Sequence, residues 1–250
     1  MSKKYKLPYN NKKNFFTTLL AMILSICVLV TTCCVVTPTY KSSVIENIDT
    51  AYKSTWDVMS PLANRSSGAA TMIYWEPDQK ILAISAWHLF SGRTTEKVFT
   101  LRYCRMPNMS PCVTKDVTIL RKDEVNDLAV LVGVKKEKFQ GPVAVIARDE
   151  PQLGETVYAI GTPLQHTRSV TRGVLSYIAW RDKTKAYYTD ASVIFGNSGG
   201  GLFNRRGELL GVVVEIRRMP IQLGPFLTWG GAIPGFNMAV GLPHIHKILQ

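Results

Sequence analysis

The sequence is poor in the residues that build metal sites. Its 250 residues include four histidines and five cysteines. Three of the cysteines fall within one apolar segment near the N-terminus, which leaves Cys104 and Cys112 for the rest of the chain. His244 and His246 lie two residues apart in a segment that reads as a helix, and residues with this spacing point to different helix faces. Because no other His or Cys completes a ligand set near Cys104 and Cys112, we expect no metal and no other cofactor.

Acidic residues are also scarce, since 18 Asp and Glu stand against 30 Lys and Arg and give a formal net charge of +12. Many of the basic residues occur in pairs such as Arg121-Lys122, Arg205-Arg206 and Arg217-Arg218. Such pairs are typical of a solvated surface, although they could also attract anionic lipid, a cell-wall polymer or an acidic substrate. No nucleic-acid-binding motif is visible, and the aromatic residues are not grouped with the basic pairs. We therefore expect no nucleic-acid partner.

The chain also lacks internal repeats of fixed period and low-complexity blocks, and what it has instead is many short strand-like runs. The first set is Thr71–Trp75, Ile81–Ser85, Val98–Tyr103, Val113–Leu120 and Leu128–Val132. After a Pro- and Gly-marked connection come Thr156–Ile160, Ser169–Trp180, Ala186–Thr189, Leu209–Glu215 and Phe236–Val240. Short strands between turn signals favour sandwiches or barrels over alternating βαβ units. We predict an all-β protein with one β-barrel at 53–145 and a second, ending in a helix from Pro243, at 146–250.

Residues 15–36 form one long uncharged apolar run of 22 residues. As a helix it would span about 33 Å, which is enough for a hydrocarbon core of about 30 Å. Five lysines precede it in residues 1–14, so the positive-inside rule keeps that tail cytoplasmic and exports the chain beyond about residue 38. The alternatives are a cleaved signal peptide and a lipoprotein signal ending at Cys33. All three predict an extracytoplasmic domain, which the anchor would hold at the membrane through the linker and short helix at 37–52.

Cys104 and Cys112 flank a turn-like segment of seven residues between two strand-like runs. In an oxidising compartment, a disulfide across this hairpin would contribute about 2–3 kcal/mol to stability. The alternative is a pair of free thiols. We predict the disulfide because the domain is expected to be exported.

A serine on a glycine-flanked turn is the strongest candidate for chemistry. The run Gly196-Asn197-Ser198-Gly199-Gly200 lies between two apolar segments. Glycine adopts backbone angles that are closed to other residues, so such a turn can point several N–H groups into one small space. The N–H groups of Gly196 and Ser198 would then form an oxyanion hole, whereas the alternative is an ordinary polar hairpin turn. Because serine is a poor nucleophile without a base, the enzyme interpretation requires a partner elsewhere in the chain.

His88 and Asp127 are the candidate partners of Ser198. His88 directly follows an apolar strand-like run, where the alternative is a satisfied core histidine. Asp127 begins the apolar run Asp127-Leu-Ala-Val-Leu-Val-Gly133, where the alternative is a strand-start residue that faces water. Burying an ionised carboxylate is costly unless it is hydrogen-bonded, so Asp127 should have a specific partner. Together the three residues give the order His, Asp, Ser, with the serine in the second half of the chain.

Three blocks of sequence carry a resemblance. They are Ser85-Ala-Trp-His88, Asp127-Leu-Ala-Val-Leu131, and Thr189-Asp-Ala-Ser192 followed by Gly196-Asn-Ser-Gly-Gly200. Over about residues 50–250 the chain resembles the chymotrypsin-fold serine proteases, most closely the HtrA-type branch. The resemblance implies two six-stranded antiparallel Greek-key β-barrels of the chymotrypsin-like kind. It also implies a serine endopeptidase that acts on polypeptides through an acyl-enzyme.

The resemblance assigns a role to each residue of the motifs. Ser198 corresponds to the nucleophile, His88 to the general base and later acid, and Asp127 to the carboxylate that orients the imidazole. The oxyanion hole is assigned to Gly196, Asn197 and Ser198. Asn197 stands where digestive-type enzymes have the aspartate that pairs with a newly cut N-terminus. Activation by that route is therefore not expected, and the HtrA-type branch has the same asparagine.

The substrate pocket is less well defined by the motifs. By position, its residues are Ser192, Ile194, Val213, Val214 and Glu215. Ser192 places no carboxylate at the base of the pocket, so we expect cleavage after small or medium apolar residues, unless Glu215 points inward. Trp87 stands where the family usually has a small residue just before the histidine and could reshape the approach to the site.

The resemblance also bears on assembly. It implies homotrimers, for which the sequence shows no distinct basis, and HtrA-type enzymes usually continue into peptide-binding PDZ domains, which this sequence does not contain. The alternative to an enzyme is a catalytically inactive protease-fold binding or scaffold protein. The complete set of His88, Asp127 and Ser198 favours the enzyme.

Overall fold

The structure is a computed structural model that describes residues 43–60, 65–75, 81–92, 97–104, 111–135, 141–165, 168–222 and 228–250. These residues belong to the unit Ser43–Gln250. The basic tail at 1–14 and the candidate anchor at 15–36 lie outside the described residues. Within the ranges given, no helix is long and apolar enough to cross a membrane.

Six antiparallel strands form the first barrel. They are β1 (Thr55–Ser60), β2 (Arg65–Trp75), β3 (Ile81–Ala86), β4 (Phe99–Cys104), β5 (Cys112–Asp123) and β6 (Leu128–Gly133). Their order around the barrel is β1-β2-β3-β6-β5-β4. The barrel closes where Val58 of β1 pairs with Leu101 of β4.

The second barrel repeats the order of the first. Its strands are β7 (Thr156–Gly161), β8 (Ser169–Arg181), β9 (Thr184–Thr189), β10 (Gly201–Phe203), β11 (Leu209–Gln222) and β12 (Thr228–Gly241). They run β7-β8-β9-β12-β11-β10, and β7 closes on β10 where Ala159 pairs with Leu202. The prediction of two six-stranded antiparallel barrels is therefore confirmed.

Short helices flank the barrels. They are α1 (Ser43–Ser54), α2 (His88–Ser91) and α3 (Leu242–Leu249), with a 3₁₀ turn at Pro163–Gln165. In α3, Pro243 occupies the first turn, where its missing N–H is no cost, so the predicted C-terminal helix is confirmed. Ile245 of α3 is fully buried and joins the apolar cluster between the barrels.

Apolar side chains from the strands fill the interiors of both barrels. Met72 and Leu101 pack inside the first barrel, and Leu175 and Leu202 pack inside the second. A third cluster includes Ile84 and other residues from both barrels and joins them along one seam. Each such side chain contributes about 1.5–3 kcal/mol when it is fully buried. The seam brings the ends of strands from different barrels close together.

The predicted disulfide is confirmed. Cys104 ends β4, Cys112 begins β5, and the two residues are direct partners in the antiparallel register. Their sulfurs are bonded, and the bridge spans eight positions of sequence. It therefore joins the two strands of one hairpin of the first barrel at the end where their connecting loop begins.

Candidate active site

His88 is positioned by the turn that ends β3. The last residue of β3 is Ala86, and the Trp87 N–H donates to the Asp127 carbonyl at 3.0 Å. Phe90, two residues after His88, is buried and makes an edge-to-face contact with Phe99 at 4.9 Å between ring centroids. This anchor fixes the single turn of α2, while the His88 side chain stays 44% exposed. The imidazole therefore projects from a rigid base towards solvent.

Asp127 contacts His88 through both carboxylate oxygens. Its Oδ1 accepts from the His88 backbone N–H at 2.7 Å, and its Oδ2 lies 2.6 Å from His88 Nδ1. A carboxylate at Nδ1 favours the tautomer that carries its proton there, which leaves Nε2 free to accept. The specific partner expected for Asp127 is thus His88. Asp127 itself lies in the turn before β6, with a left-handed φ of 54° that a non-glycine residue seldom adopts.

Ser198 lies on the connection between β9 and β10, and both barrels hold its turn. The Ser198 carbonyl accepts from the Ala69 N–H of β2 at 2.8 Å. The next residues pair with β11, because the Gly199 N–H donates to the Val213 carbonyl at 2.7 Å and the Val213 N–H donates to the Gly200 carbonyl at 2.8 Å. The turn is therefore fixed on both sides of the serine.

The loop after β7 orients the peptide groups on either side of Gly196. The Leu164 N–H donates to the Phe195 carbonyl at 2.7 Å, and the Thr162 N–H and hydroxyl lie 3.3 and 3.1 Å from the Gly196 carbonyl. The carbonyl and N–H of a trans peptide point in opposite directions, so the Gly196 N–H points away from Leu164. In the described part of the chain, the N–H groups of Gly196 and Ser198 have no protein acceptor. Both donors are therefore available to a ligand.

Asn197 differs from its two neighbours. Its N–H donates to the Ile194 carbonyl at 3.1 Å, so it is not available as an oxyanion donor. Its side chain is buried against β7, where a Cβ added to Gly161 would lie 2.6 Å from Asn197 Oδ1. Of the three residues assigned to the oxyanion hole, Gly196 and Ser198 thus have the right donors, and Asn197 holds the turn.

The structure brings His88 and Asp127 together and places Ser198 on a turn held by both barrels. Among the described residues, no hydrogen bond joins the Ser198 hydroxyl to the His88 ring. Catalytic hydrogen bonds are often long without substrate and tighten in the complex, so this geometry is compatible with a nucleophile and its base.

The predicted pocket residues do not all share one surface. Ser192 and Ile194 are exposed, and the Ser192 carbonyl accepts from the Thr171 hydroxyl at 2.7 Å. Val213 packs inside the second barrel, whereas Val214, the next residue of the strand, lines a cavity beside Asp127. Successive strand residues point to opposite faces, which explains the division. The remaining pocket residue, Glu215, has a side chain outside the description and is placed only by its backbone pairing with Met238.

Two residues of the site were not found from the sequence. Thr162 and Leu164 hold the turn before Ser198 from a loop more than 30 residues away. The segment Gly161-Thr162-Pro163 after a strand-like run indicates a turn, but it does not identify the residues that the turn contacts.

The chain is similar to several known proteins. Residues 70–212 match the family model of the trypsin-like peptidase domain. The chain is 33% identical over 132 residues to a probable periplasmic serine endoprotease DegP-like of Buchnera aphidicola, a match that covers 51% of this chain and 27% of the relative. It is 27% identical over 179 residues to the chloroplastic Protease Do-like 5 of Arabidopsis thaliana, covering 67% of this chain and 54% of the relative. The chain therefore spans between about a quarter and about half of these relatives.

Solved structures show the same fold. A serine endoprotease from Yersinia pestis matches with a TM-score of 0.61 and 23% identity, over 83% of this chain and 65% of that one. The HtrA-type protease AlgW, solved with a decapeptide, matches with a TM-score of 0.63 and 20% identity, over 83% of this chain and 66% of that one.

Proposed function

Because the chain belongs to the trypsin-like peptidase family, we propose that it is a serine endopeptidase with Ser198 as nucleophile, His88 as general base and Asp127 as orienting carboxylate. The observation that carries the proposal is the double contact of Asp127 with the backbone N–H and the Nδ1 of His88. A carboxylate in this position selects the tautomer with a free Nε2 and stabilises the imidazolium that forms during the reaction.

The reaction follows from these positions. Ser198 Oγ attacks the carbonyl carbon of the scissile peptide while His88 Nε2 takes its proton. The tetrahedral oxyanion accepts hydrogen bonds from the N–H groups of Gly196 and Ser198. His88 then gives its proton to the leaving amine, which leaves an acyl group on Ser198. Water activated by His88 hydrolyses this ester and regenerates the hydroxyl.

We propose cleavage after small or medium apolar residues. Ser192 carries no charge that would attract Arg or Lys, and exposed Ile194 and Phe195 add apolar surface directly before the Gly196 turn. Of the predicted pocket residues whose side chains the structure describes, none is a carboxylate, so a lysine or arginine would find no ion partner among them and its desolvation would go uncompensated.

We also propose that the domain works outside the cytoplasm, tethered to the membrane by residues 15–36. The support is the apolar length of that segment, its preceding lysines and the Cys104–Cys112 disulfide, which suits an oxidising compartment. The similar Buchnera aphidicola protein is named periplasmic. A polypeptide is the proposed substrate and a homotrimer the proposed assembly, the latter resting on the HtrA resemblance alone.

The test is cleavage of an unbiased peptide mixture, with the cut sites read by mass spectrometry. The wild type should cut after Ala, Val and residues of similar size, and Ser198→Ala should not cut. Cuts that persist in Ser198→Ala would reject Ser198 as nucleophile. A folded wild type that cuts nothing would instead favour the inactive scaffold protein.

A further inference from the structure

Two buried polar side chains, one from each barrel, meet beside Asp127. The Thr184 hydroxyl, at the start of β9, donates to Asn126 Oδ1 at 2.7 Å. Both residues are less than 9% exposed, so water does not compete strongly for this bond. Asn126 directly precedes Asp127, and the bond therefore connects the second barrel to the residue before the carboxylate.

The amide of Asn126 is held at its other end as well. Its Nδ2 donates to Asp123 Oδ2 at 2.6 Å, and Asp123 Oδ1 accepts from the backbone N–H groups of Val125 and Asn126 at 3.1 and 3.0 Å. Burial raises the pKa of Asp123, but these hydrogen bonds outweigh it and bring the pKa below its usual value. The Asp123 carboxylate is thus ionised at neutral pH and accepts all three bonds.

Hydrogen bonds rather than packing fix the turn on this side. A cavity of about 340 Å³ lies beside Asp127 and is lined by Asn126, Thr184, Val214 and Met238 among others. The described side chains around this cavity therefore leave open space next to the turn. Asp127 also has a left-handed φ of 54°, a conformation that persists in a non-glycine residue only where its surroundings impose it.

The position of Thr184 is itself well determined. It pairs with Arg181 across the two-residue turn that joins β8 to β9. The hairpin belongs to the second barrel, so its register sets where the hydroxyl meets Asn126.

We propose that Thr184 is a positioning residue that holds Asp127 against His88 through Asn126. This inference rests on the proposed function. It means that a residue of the second barrel helps to position Asp127 and His88, which both lie in the first barrel. Without the hydroxyl, Asn126 Oδ1 loses its partner and the turn loses its bond to the second barrel. A shift of the turn towards the cavity would lengthen the contacts from Asp127 to His88.

The test compares Thr184→Val, which removes the hydroxyl, with Thr184→Ser, which keeps it. We expect kcat of Thr184→Val to fall about tenfold with KM nearly unchanged. A displaced base stabilises the transition state less but leaves substrate binding intact. Thr184→Ser should restore most of kcat. The matched control is Thr55→Val, which removes a buried hydroxyl that donates to the Ala51 carbonyl and makes no contact with Asn126, Asp127 or His88 in the described residues; it should leave kcat unchanged.

A second readout does not depend on hydrolysis. We expect the proton of His88 Nδ1, hydrogen-bonded to Asp127, to give a low-field NMR signal, and this signal should move upfield or vanish in Thr184→Val but not in Thr55→Val. If Thr184→Val does not fold, Thr184→Cys provides the same comparison, since a thiol is a weak donor.

The outcomes separate the two claims. A wild type that hydrolyses nothing, with a His88 signal that responds to Thr184→Val, would end the proposed function and keep the positioning role. An active wild type whose kcat and His88 signal are both unchanged in Thr184→Val would overturn the positioning role alone. If Thr55→Val lost as much kcat as Thr184→Val, general destabilisation would explain both losses, and the positioning role of Thr184 would be overturned.

Discussion

Replacing Gly196 by alanine should disable the oxyanion turn by a mechanism that the structure makes measurable. Gly196 has a φ of +95°, and a Cβ added there would lie 2.3 Å from the Thr162 carbonyl oxygen and 3.1 Å from the Leu164 N–H nitrogen. The obstacle is backbone in both directions, so no side-chain rotation can relieve it. The turn itself must shift by about 1 Å to reach ordinary contact distance.

The substitution has two effects, one measured as a lower Tm and the other as a lower kcat. The left-handed backbone costs an alanine about 1–2 kcal/mol, which lowers Tm by about 2–8 °C for a domain of this size. The displaced Gly196 N–H costs transition-state stabilisation, and loss of one oxyanion donor typically lowers kcat by about 10²–10³. We therefore expect Gly196→Ala to fold, to melt at a lower temperature and to lose at least about a hundredfold in kcat.

Gly154 provides a matched control. Its φ is +80°, yet a Cβ added there would meet nothing within 4 Å. Gly154→Ala should thus show the backbone cost in Tm and keep its kcat. The assay is hydrolysis of a chromogenic peptide well below the lower Tm, with melting followed by circular dichroism. Equal kcat values in the two variants would refute the oxyanion role of Gly196.

Three further predictions concern other parts of the fold. Asp127→Asn should leave the fold intact and lower kcat by about 10⁴, because the amide favours the wrong tautomer of His88; a loss under tenfold in a peptide assay would argue against the orienting role. Replacing both Cys104 and Cys112 by serine should cost about 2.5 kcal/mol of stability, seen as a lower urea midpoint, and an unchanged midpoint would contradict the account. His244 accepts a hydrogen bond from the Lys185 N–H. Burial lowers the pKa of His244; the charge of Asp123 raises this pKa, and the charge of Lys247 lowers it further. The unfolded chain therefore takes up this proton at higher pH than the folded one, so Tm should fall as pH drops below about 6.5, and His244→Gln should flatten that fall.

Local patterns predicted most of the strands, whereas the architecture of two six-stranded barrels came from the family resemblance. Short apolar runs between turn signals predicted ten strands, and the turn around Ser198 was visible from its glycines alone. Two strands, Thr55–Ser60 and Gly201–Phe203, were not predicted. The first follows α1 without a turn signal, and the second has three residues and begins with glycine, so neither has a pattern long enough to identify.

The largest difference in the fold concerns β12. The sequence predicted a strand from Phe236, but the structure begins it at Thr228, paired with β11 as far as Gln222. Pro234 and several glycines read as strand breakers in this stretch. A two-stranded ribbon beyond the barrel leaves half of its backbone groups unpaired, so it tolerates such residues where a central strand would not.

The supporting contacts of the site could not be predicted at all. Thr162 reaches Gly68 across 94 positions of sequence, and Thr184 reaches Asn126 across 58. A threonine hydroxyl has no local signature that names its acceptor, because the acceptor is fixed only when the barrels pack. The left-handed backbone conformation of Asp127 could not be predicted either, because it depends both on the turn and on the hydrogen bond to His88.

The central claim is that Ser198 is a nucleophile activated by His88. The most direct measurement is treatment of the folded protein with a fluorophosphonate, followed by proteolytic mapping of the adduct by mass spectrometry. We expect a single adduct on Ser198 that forms orders of magnitude more slowly in His88→Ala. An adduct on another residue, or labelling of His88→Ala at the rate of the wild type, would contradict it.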